Sequence, residues 1–415
     1  MRVLVCPHDL AIGGSQINAI DLAAGAAAAG HDVFIYGIPG PLTAYIAEKG
    51  LRFLPANPMW CRPAPARIAE VAAICKRERI DLVHAYEWPT CLEAYYGALL
   101  FYKVPLLCTV LSMEVMPHVP PSVPLVVGTA DIGDDARRTR NRHVWVIEPP
   151  IDVENDNPQI DGSGYRRRLG VEPHDLLVVS VSRLALDLKL DALVRAIDAA
   201  DLLADSCPLK LALVGDGPAR DALKARALAV NKRHGRDVVI LPGAELDPRA
   251  AYAAADLVVG MGSSALRALA IGRPLIVQGE RAFSEIFEPD TYDIFLRQGF
   301  YGLSDGAAGA SRLATQMREL LDDPARRADL ALFGRKAVVE RFGLQRALEL
   351  QLEIYRKVAI SPPNYRLSEA LNSARLSLLL EYANHDPIGK RRKRKREVAM
   401  LHSAGFGTWP PAHSV

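Results

Sequence analysis

Short apolar segments with the character of β-strands alternate with helix-like segments along nearly the whole chain. The first apolar segment, Arg2–Pro7, precedes an Ala-rich helical pattern over Ser15–Ala29 and a second strand pattern at Asp32–Gly37. A further series begins after residue 150, where strand patterns such as Leu209–Gly215 precede helical patterns such as Arg220–Lys232. Strands that alternate with helices form parallel sheets covered by helices. The sequence therefore predicts an α/β protein.

The chain is long enough for two domains, since its 415 residues exceed the size of one typical hydrophobic core. The Pro-rich, polar stretch from 148 to 164 is the predicted linker. We expect two doubly wound, Rossmann-like domains facing a central cleft, with residues 1–150 forming the N-terminal domain and 151–345 the C-terminal one. Helical patterns over 346–385 are expected to pack back on the N-terminal domain, and 386–415 to form a basic, flexible tail.

Composition excludes several classes of protein. No run of about 18 apolar residues is present, so no transmembrane helix is expected. The six cysteines are scattered without a metal-binding or redox spacing, which favours a cytoplasmic location and no metal. Seven of the positive charges lie together in Lys390–Arg396. This run is either a solvated segment or a contact for an anionic membrane surface, and a nucleic-acid partner is not expected.

Two cations lie six positions apart between a predicted strand and a predicted helix. Arg183 follows the strand and Lys189 directly precedes the helix that begins near Leu190. Ligands of open α/β sheets bind beyond the carboxyl ends of the strands, and paired cations at this place suit a diphosphate. The alternative is that the two cations pair with Asp187 and Asp191.

Two further helix starts favour anion binding. Gly13 and Gly14 separate the first strand from the first helix, where glycines allow a close approach to a ligand. Gly262, Ser263 and Ser264 hold the same place in the second half, although the serines could simply cap their helix. Neither a dinucleotide fingerprint nor a Walker loop is present.

Polar side chains also follow a strand of the first half. His84, Tyr86 and Glu87 lie at the end of one predicted strand, where His84 could act as a general acid or base. The alternative for His84 is a packed, hydrogen-bonded histidine.

Several motifs in order resemble those of a known family. They are the Gly13-Gly14-Ser15 loop, the strand ending at His84, the segment Val146–Asp152, the Arg183 and Lys189 pair, and Leu241-Pro242-Gly243. Over about residues 1 to 355 the chain resembles the GT-B glycosyltransferases, in particular the retaining enzymes of glycosyltransferase family 4. This resemblance implies transfer of a sugar from a nucleotide sugar to a small-molecule, glycan or lipid acceptor, without a metal or other cofactor.

The resemblance also implies roles for individual residues. The glycine loop with Arg183 and Lys189 would hold the leaving diphosphate, and Gly243, Arg267 and Glu285 complete the candidate contacts to the sugar donor. The family's two glutamates, which are separated by seven intervening residues, would fall at Val259 and Arg267 in this chain. Arginine has no hydrogen-bond acceptor and so cannot replace the glutamate that binds ribose, although it could meet a phosphate. Tyr86 occupies the place of a second histidine found in the family. With Glu87 and His118, it is a candidate for contacts on the acceptor side that the resemblance implies.

These departures leave two other functions open. The chain could be a GT-B protein that has lost its sugar-donor chemistry and serves as a partner or scaffold, with the basic tail as its contact. It could also be a GT-B sugar-nucleotide epimerase. An active transferase with an unusual sugar donor or a rearranged donor pocket is the preferred hypothesis.

Overall fold

The computed structural model describes residues 1–385 except 60, 141–142, 308 and 363. The described chain divides into two compact units. The first unit comprises Met1–Pro150 together with the chain from Phe342 onward, and the second comprises Ile151–Arg341. The predicted tail, 386–415, lies outside the described residues. No helix among those described is long and apolar enough to cross a membrane.

The first unit contains a parallel sheet between layers of helices. In its described part the sheet has seven strands, in the order β3-β2-β1-β4-β5-β6-β7. The strands are β1 (Arg2–Cys6), β2 (Asp32–Gly37), β3 (Arg52–Pro55), β4 (Leu82–Tyr86), β5 (Leu106–Val110), β6 (Leu125–Val127) and β7 (Val144–Val146). The helices are α1 (Gly14–Ala28), α2 (Thr43–Glu48), α3 (Pro65–Arg77), α4 (Glu87–Ala94), which continues as a π-helix over Tyr95–Leu100, and α5 (Ala130–Thr139).

The second unit repeats this architecture. Its described strands form a six-stranded sheet in the order β10-β9-β8-β11-β12-β13, parallel except for the last strand. The strands are β8 (Leu176–Val181), β9 (Leu209–Val214), β10 (Val239–Gly243), β11 (Leu257–Gly260), β12 (Leu275–Gln278) and β13 (Ser284–Ile286). The helices are α6 (Ser163–Arg168), α7 (Leu190–Leu203), α8 (Arg220–His234), α9 (Arg249–Ala254), α10 (Ser263–Ala270), α11 (Tyr292–Gln298), α12 (Gly309–Asp322) and α13 (Pro324–Arg341).

Burial on both faces explains the apolar strands. In β1, Val3 and Val5 belong to one hydrophobic cluster, whereas Leu4 and Cys6 belong to another. Because successive side chains of a strand point to opposite faces, the two clusters lie on the two sides of the sheet. A parallel sheet covered in this way needs nearly continuous apolar strands, which is the pattern of the sequence. The prediction of two doubly wound α/β units is confirmed.

The last two described helices belong to the first unit. They are α14 (Leu344–Ile360) and α15 (Leu367–His385). α14 packs on α1 so closely that a Cβ atom on Gly25 would lie 2.7 Å from Leu348 Cδ2. α14 therefore stabilises α1, the first helix of the unit.

The expected linker is largely a packed part of the second unit. Ile151 and Asp156 are buried, and the guanidinium group of Arg335 donates to the backbone oxygens of Val153 and Asp156. The edge strands β3, β7 and β13 were not predicted from the sequence. Each of these strands is only three or four residues long, so it carries too few positions for a period of two to be recognised.

Candidate functional site

The predicted cation pair lies on the loop between β8 and α7. Arg183 is exposed, and Lys189 is half-buried at the residue that precedes α7. Burial and the nearby charge of Arg183 lower the pKa of Lys189 to about 8. Neither side chain has an ion-pair partner among the described residues, and Asp191 pairs with Arg195 instead. The structure thus brings two cations together without a neutralising carboxylate, which is the arrangement that an anionic ligand would stabilise.

Two glycines fix the backbone on which Arg183 lies. The turn after β9 contains Gly215 and Gly217, with φ values of +150° and +154°. A Cβ atom on Gly215 would lie 1.9 Å from the backbone oxygen of Ser182, and one on Gly217 would lie 2.5 Å from that of Leu184. The Leu184 amide donates to the backbone oxygen of Asp216 at 2.9 Å. This backbone-to-backbone packing is possible only with glycine, and it holds the Arg183 loop against the neighbouring turn.

The start of α10 lies at the same edge of the sheet. β8 and β11 are adjacent parallel strands, so the loops that follow them emerge side by side, about 5 Å apart at the strands. Gly262, with a φ of +63°, precedes α10, and no described side chain caps this helix. The Ser264 hydroxyl accepts a hydrogen bond from Tyr252 Oη at 2.9 Å. The Ala265 amide donates to the Gly262 backbone oxygen at 3.1 Å, so the amides of Ser263 and Ser264 are the ones that could meet an anion near Arg183 and Lys189.

Gly243 ends β10 at this same edge, two strands away from β8. Its φ of +104° favours glycine, and its backbone oxygen accepts from the Gly215 amide at 2.8 Å. Gly243 therefore supports the turn that contains Gly215 and Gly217, and that turn holds the Arg183 loop in place. Through this chain of contacts it is linked to the predicted phosphate site.

The two positions of the family's glutamates do not face a ligand. Val259 is fully buried in the core of the second unit. Arg267 Nε donates to Asp156 Oδ2 at 2.8 Å, and Asp156 is itself buried. Burial raises the pKa of Asp156, and the Arg267 charge opposes that rise. The Arg267 guanidinium group thus neutralises a buried carboxylate of its own unit, and a contact between Arg267 and a phosphate stays a prediction.

Glu285 is also paired within the protein. It lies on β13, the antiparallel strand at the edge of the sheet, and its carboxylate forms an ion pair with Arg312 of α12. A contact between Glu285 and the sugar donor, which the resemblance implied, stays a prediction. The pairing of Glu285 with Arg312 joins the edge strand to α12.

A buried arginine that sequence reasoning missed organises the loop after β12. Arg195 of α7 donates to the backbone oxygens of Gly279 and Phe283 at 2.8 and 3.0 Å. It also pairs with Asp191, which accepts from the Ala282 amide at 3.2 Å. The helix that follows Lys189 thereby anchors a second loop at the same edge. The signal in the sequence was a single arginine on the otherwise apolar, inward face of α7.

The glycine loop of the first unit carries an unpredicted polar cluster. Gly13 precedes α1 in extended backbone, and a Cβ atom on it would lie 2.4 Å from Gln16 Oε1. Gln16 Nε2 donates to Asp9 Oδ1 at 2.6 Å and lies 3.0 Å from His8 Nε2. Gly14 is the first residue of α1. The loop after β1 thus presents polar groups at the carboxyl edge of the first sheet.

His84 is a packed histidine and does not meet the requirements of a general acid or base. Its Nδ1 hydrogen-bonds the Tyr355 hydroxyl, and its Nε2 the Thr109 hydroxyl, each over 2.7 Å. Burial lowers the pKa of His84 to about 3, so that the ring is neutral at physiological pH. Tyr86 is buried as well, with its ring centroid 4.6 Å from that of His84. The expected catalytic role of His84 and the acceptor role of Tyr86 are corrected accordingly.

Glu87 and His118 shape the loop after β5. The Glu87 carboxylate accepts from the amides of Leu111 and Ser112 at 2.9 and 3.0 Å, and from the Ser112 hydroxyl at 2.7 Å. His118 is buried, and its ring centroid lies 4.4 Å from that of Trp88. The Glu87 carboxylate is therefore occupied within the protein, and the His118 ring is buried against Trp88. They position a loop at the carboxyl edge of the first sheet, and neither is exposed to contact an acceptor directly.

Two family models match separate parts of the chain. The model for Glycosyltransferase Family 4 matches residues 12–122, and that for Glycosyl transferases group 1 matches residues 175–323. The first match covers much of the first unit, and the second covers β8 to α12 of the second unit. No curated protein matches the chain.

Solved structures share the fold over most of the chain. A glycosyltransferase from Rickettsia africae is 15% identical, with a TM-score of 0.69 over 87% of this chain and 99% of that protein. HepE from Anabaena in complex with UDP-glucose is 17% identical, with a TM-score of 0.66 over 86% of this chain and 100% of HepE. WaaG, a glycosyltransferase of lipopolysaccharide biosynthesis, is 17% identical, with a TM-score of 0.56 over 84% and 99%. Because both glycosyltransferase models match and the fold is shared with solved glycosyltransferases, the chain is a GT-B glycosyltransferase similar to family 4.

Proposed function

We propose that the second unit binds the diphosphate of a nucleotide sugar, and that the protein transfers the sugar to an acceptor hydroxyl with retention and without a metal. The observation that carries this proposal is the unneutralised pair of Arg183 and Lys189 beside the start of α10. HepE, which shares the fold, was solved with UDP and with UDP-glucose. UDP is therefore the first ligand to test.

The proposed chemistry follows from where charge develops. The bond between the anomeric carbon and the diphosphate oxygen breaks, and its electron pair stays on the diphosphate. The acceptor oxygen bonds to the same carbon, and its proton passes to the released diphosphate oxygen. Preorganised cations and helix amides that face the leaving group stabilise this growing negative charge, typically by about 3–4 kcal/mol for one contact.

Two positive side chains can supply the charge that a divalent cation supplies in other transferases. Among the described residues, no three His, Cys, Asp or Glu side chains form a group that could hold a metal ion. On the second unit, Arg183 and Lys189 are our candidates for supplying the positive charge that a metal ion would otherwise supply. We therefore propose that activity persists in the presence of a chelator. Retention of configuration rests on the likeness to family 4.

Ligand-induced thermal stabilisation tests the binding step. The protein is melted with UDP, GDP, dTDP or ADP, because a ligand at one hundred times its Kd adds about 2.7 kcal/mol to the free energy of unfolding. We expect UDP to raise Tm, and Arg183→Ala and Lys189→Ala to abolish this rise while the unliganded Tm changes little. Lys232→Ala is the matched control, since Lys232 is an exposed cation of the same unit. A Tm that no nucleotide changes would contradict the proposal.

Product analysis tests the transfer step. The nucleotide sugar that gives the largest rise in Tm is incubated with and without candidate acceptors, with and without EDTA, and the anomeric proton is followed by NMR. Transfer to the acceptor with the configuration of the sugar donor, unaffected by EDTA, is expected. A product that forms without acceptor and is itself a nucleotide sugar would indicate epimerisation instead.

A further inference from the structure

The outer face of α15 is apolar although it is exposed. This helix of 19 residues buries the small side chains Ala370, Ser373 and Ser377. Five of its large apolar side chains are turned outward, with between 54% and 73% of their surface exposed: Leu367, Leu371, Leu378, Leu379 and Tyr382. A helix on a protein surface ordinarily has the opposite arrangement, with its leucines facing the core.

Four of these side chains form one continuous stripe. At 100° per residue, Leu367, Leu371, Leu378 and Tyr382 fall within an arc of about 60°. We call these four residues the outer stripe. Leu379 lies beside it on the same exposed side. Such a stripe has the width and spacing of a surface that lies against an apolar layer.

Polar contacts hold α15 in this orientation. The Tyr96 hydroxyl donates to the backbone oxygen of Ala370 at 2.7 Å, and the Glu369 carboxylate accepts from the Ser122 amide at 3.0 Å. Just before the helix, the Arg366 amide donates to Tyr95 Oη at 3.1 Å. These bonds come from the π-helix after α4 and from the loop before β6, so the outward direction of the leucines is set by the rest of the unit.

Aromatic side chains continue the exposed apolar surface at the start of α15. Phe101 is 69% exposed, and Tyr102 and Tyr365 are also exposed. The Lys103 ammonium lies 3.5 Å from the centroid of the Tyr365 ring. Exposed aromatic rings with a neighbouring lysine are typical of segments at a membrane–water interface, where the rings are half in the apolar layer and the charge remains in water.

The sequence that follows α15 indicates what kind of partner would cover the outer stripe. Seven consecutive cations, Lys390–Arg396, begin five positions after His385, the last residue of the helix. Each basic residue near an anionic bilayer contributes about 1 kcal/mol of attraction. A second copy of the chain would instead bring two such runs together and repel itself. An apolar stripe followed by a basic run therefore matches a layer with an apolar interior and an anionic surface.

We propose that the outer stripe and Lys390–Arg396 bind the surface of an anionic lipid bilayer, with α15 lying in the plane of the interface. The stripe enters the boundary between headgroups and acyl chains, and the cations pair with lipid phosphates. This mode needs no membrane-spanning helix, and the described helices include none. The outer stripe belongs to the first unit and does not include Arg183 or Lys189.

Binding of the full chain to vesicles tests this proposal. The protein is centrifuged with sucrose-loaded vesicles of equimolar phosphatidylglycerol and phosphatidylcholine, and with vesicles of phosphatidylcholine alone. We expect binding to the anionic vesicles that weakens as salt is added, and much weaker binding to the neutral ones. Leu371→Ser with Leu378→Ser is expected to weaken binding by about a hundredfold, because each of the two leucines removed from the apolar layer costs about tenfold.

Matched variants separate the two parts of the surface. Replacement of all seven residues of Lys390–Arg396 by glutamine should abolish the preference for anionic vesicles and the dependence on salt. Leu332→Ser is the control, because Leu332 is 72% exposed on α13 of the second unit, and this variant should bind as the unaltered chain does. Leu371, Leu378 and Leu332 are all exposed, so the Tm of each leucine variant should stay close to that of the parent protein.

Three outcomes would overturn the proposal. They are absence of binding to anionic vesicles, equal binding of the double leucine variant, and loss of a dimer in that variant as measured by light scattering. The last would assign the stripe to a second copy of the chain. The UDP-induced rise in Tm is measured on the same variants, so a failure of the membrane proposal is distinguishable from a failure of the nucleotide-sugar proposal.

Discussion

His84 Nδ1 and the Tyr355 hydroxyl are joined by a hydrogen bond of 2.7 Å between residues 271 positions apart. His84 lies on β4, a strand in the interior of the first sheet, and Tyr355 lies on α14, near the end of the described chain. Both are buried. The bond fastens the returning helix to the first sheet, and it gives His84 a structural function in place of the catalytic one that its position suggested.

Protonation of His84 is predicted to destabilise the fold. Because its pKa is about 3 when folded and about 6.5 when unfolded, the unfolded chain binds the proton more tightly between these values. This residue therefore makes the free energy of unfolding fall as the pH decreases from about 6.5, by up to about 1.4 kcal/mol per pH unit. Urea denaturation of the parent protein and of His84→Gln between pH 7 and 4 should show a shallower pH dependence in the variant.

The role of His84 in the reaction can be examined with the same variant. A buried histidine that contacts no substrate should tolerate replacement, so we expect His84→Gln to retain kcat within a few-fold at a temperature where it is folded. Tyr355→Phe leaves His84 Nδ1 without this partner and should cost about 1–3 kcal/mol. A loss of kcat by a hundredfold or more in folded His84→Gln would restore the catalytic assignment.

The pH dependence of UDP binding should report the pKa of Lys189. In the free protein this pKa is about 8, so the side chain loses its charge as the pH rises above that value. The Kd for UDP, measured by calorimetry, should be constant below pH 8 and should increase above it. Lys189→Arg keeps its charge and should give a Kd that stays constant to about pH 10. Identical pH profiles of the two proteins would show that Lys189 does not contact the ligand.

A methyl group on Gly215 should displace the Arg183 loop. In Gly215→Ala the new Cβ atom meets the Ser182 backbone oxygen, which would be only 1.9 Å away without a shift. We expect a loss of about 2–4 kcal/mol in stability and at least about a tenfold weaker affinity for UDP. Gly235→Ala is the control, since Gly235 has a φ of +63° and no atom lies within 4 Å of the place that its methyl group would take. It should cost about 1 kcal/mol in stability and leave the Kd for UDP unchanged.

Removal of Arg267 should destabilise the second unit and leave the choice of sugar donor unchanged. Arg267→Ala leaves the buried Asp156 carboxylate without its ion pair, which typically costs about 3–5 kcal/mol. The double variant with Asp156→Asn should lose less than the sum of the two single changes, because the buried charge is then absent. Chemical denaturation measures this coupling. A stable Arg267→Ala variant that prefers a different nucleotide would contradict the structural role.

The cation pair shows how far local sequence reasoning reaches. Arg183 and Lys189 could be placed at one edge of a sheet because their position between a strand and a helix is a local property. The ion-pair partners could not be predicted in the same way. Asp191 was an alternative partner for the two cations in the sequence, but it pairs with Arg195. The buried partner of Arg267 is 111 positions away. Such pairings depend on how distant segments pack, which no local pattern encodes.

The sequence by itself determined the two doubly wound units, the place of the Arg183 and Lys189 pair, and the glycines that precede α1 and α10. Periodicity, capping residues and strand composition are local, and they act before the chain packs. Only the tertiary structure decided that His84 is neutral and buried, that Arg267 and Glu285 are already paired, and that the leucines of α15 face outward. Burial and long-range pairing set the charge and exposure of each of these side chains, and both arise only when the sheets and helices have been assembled.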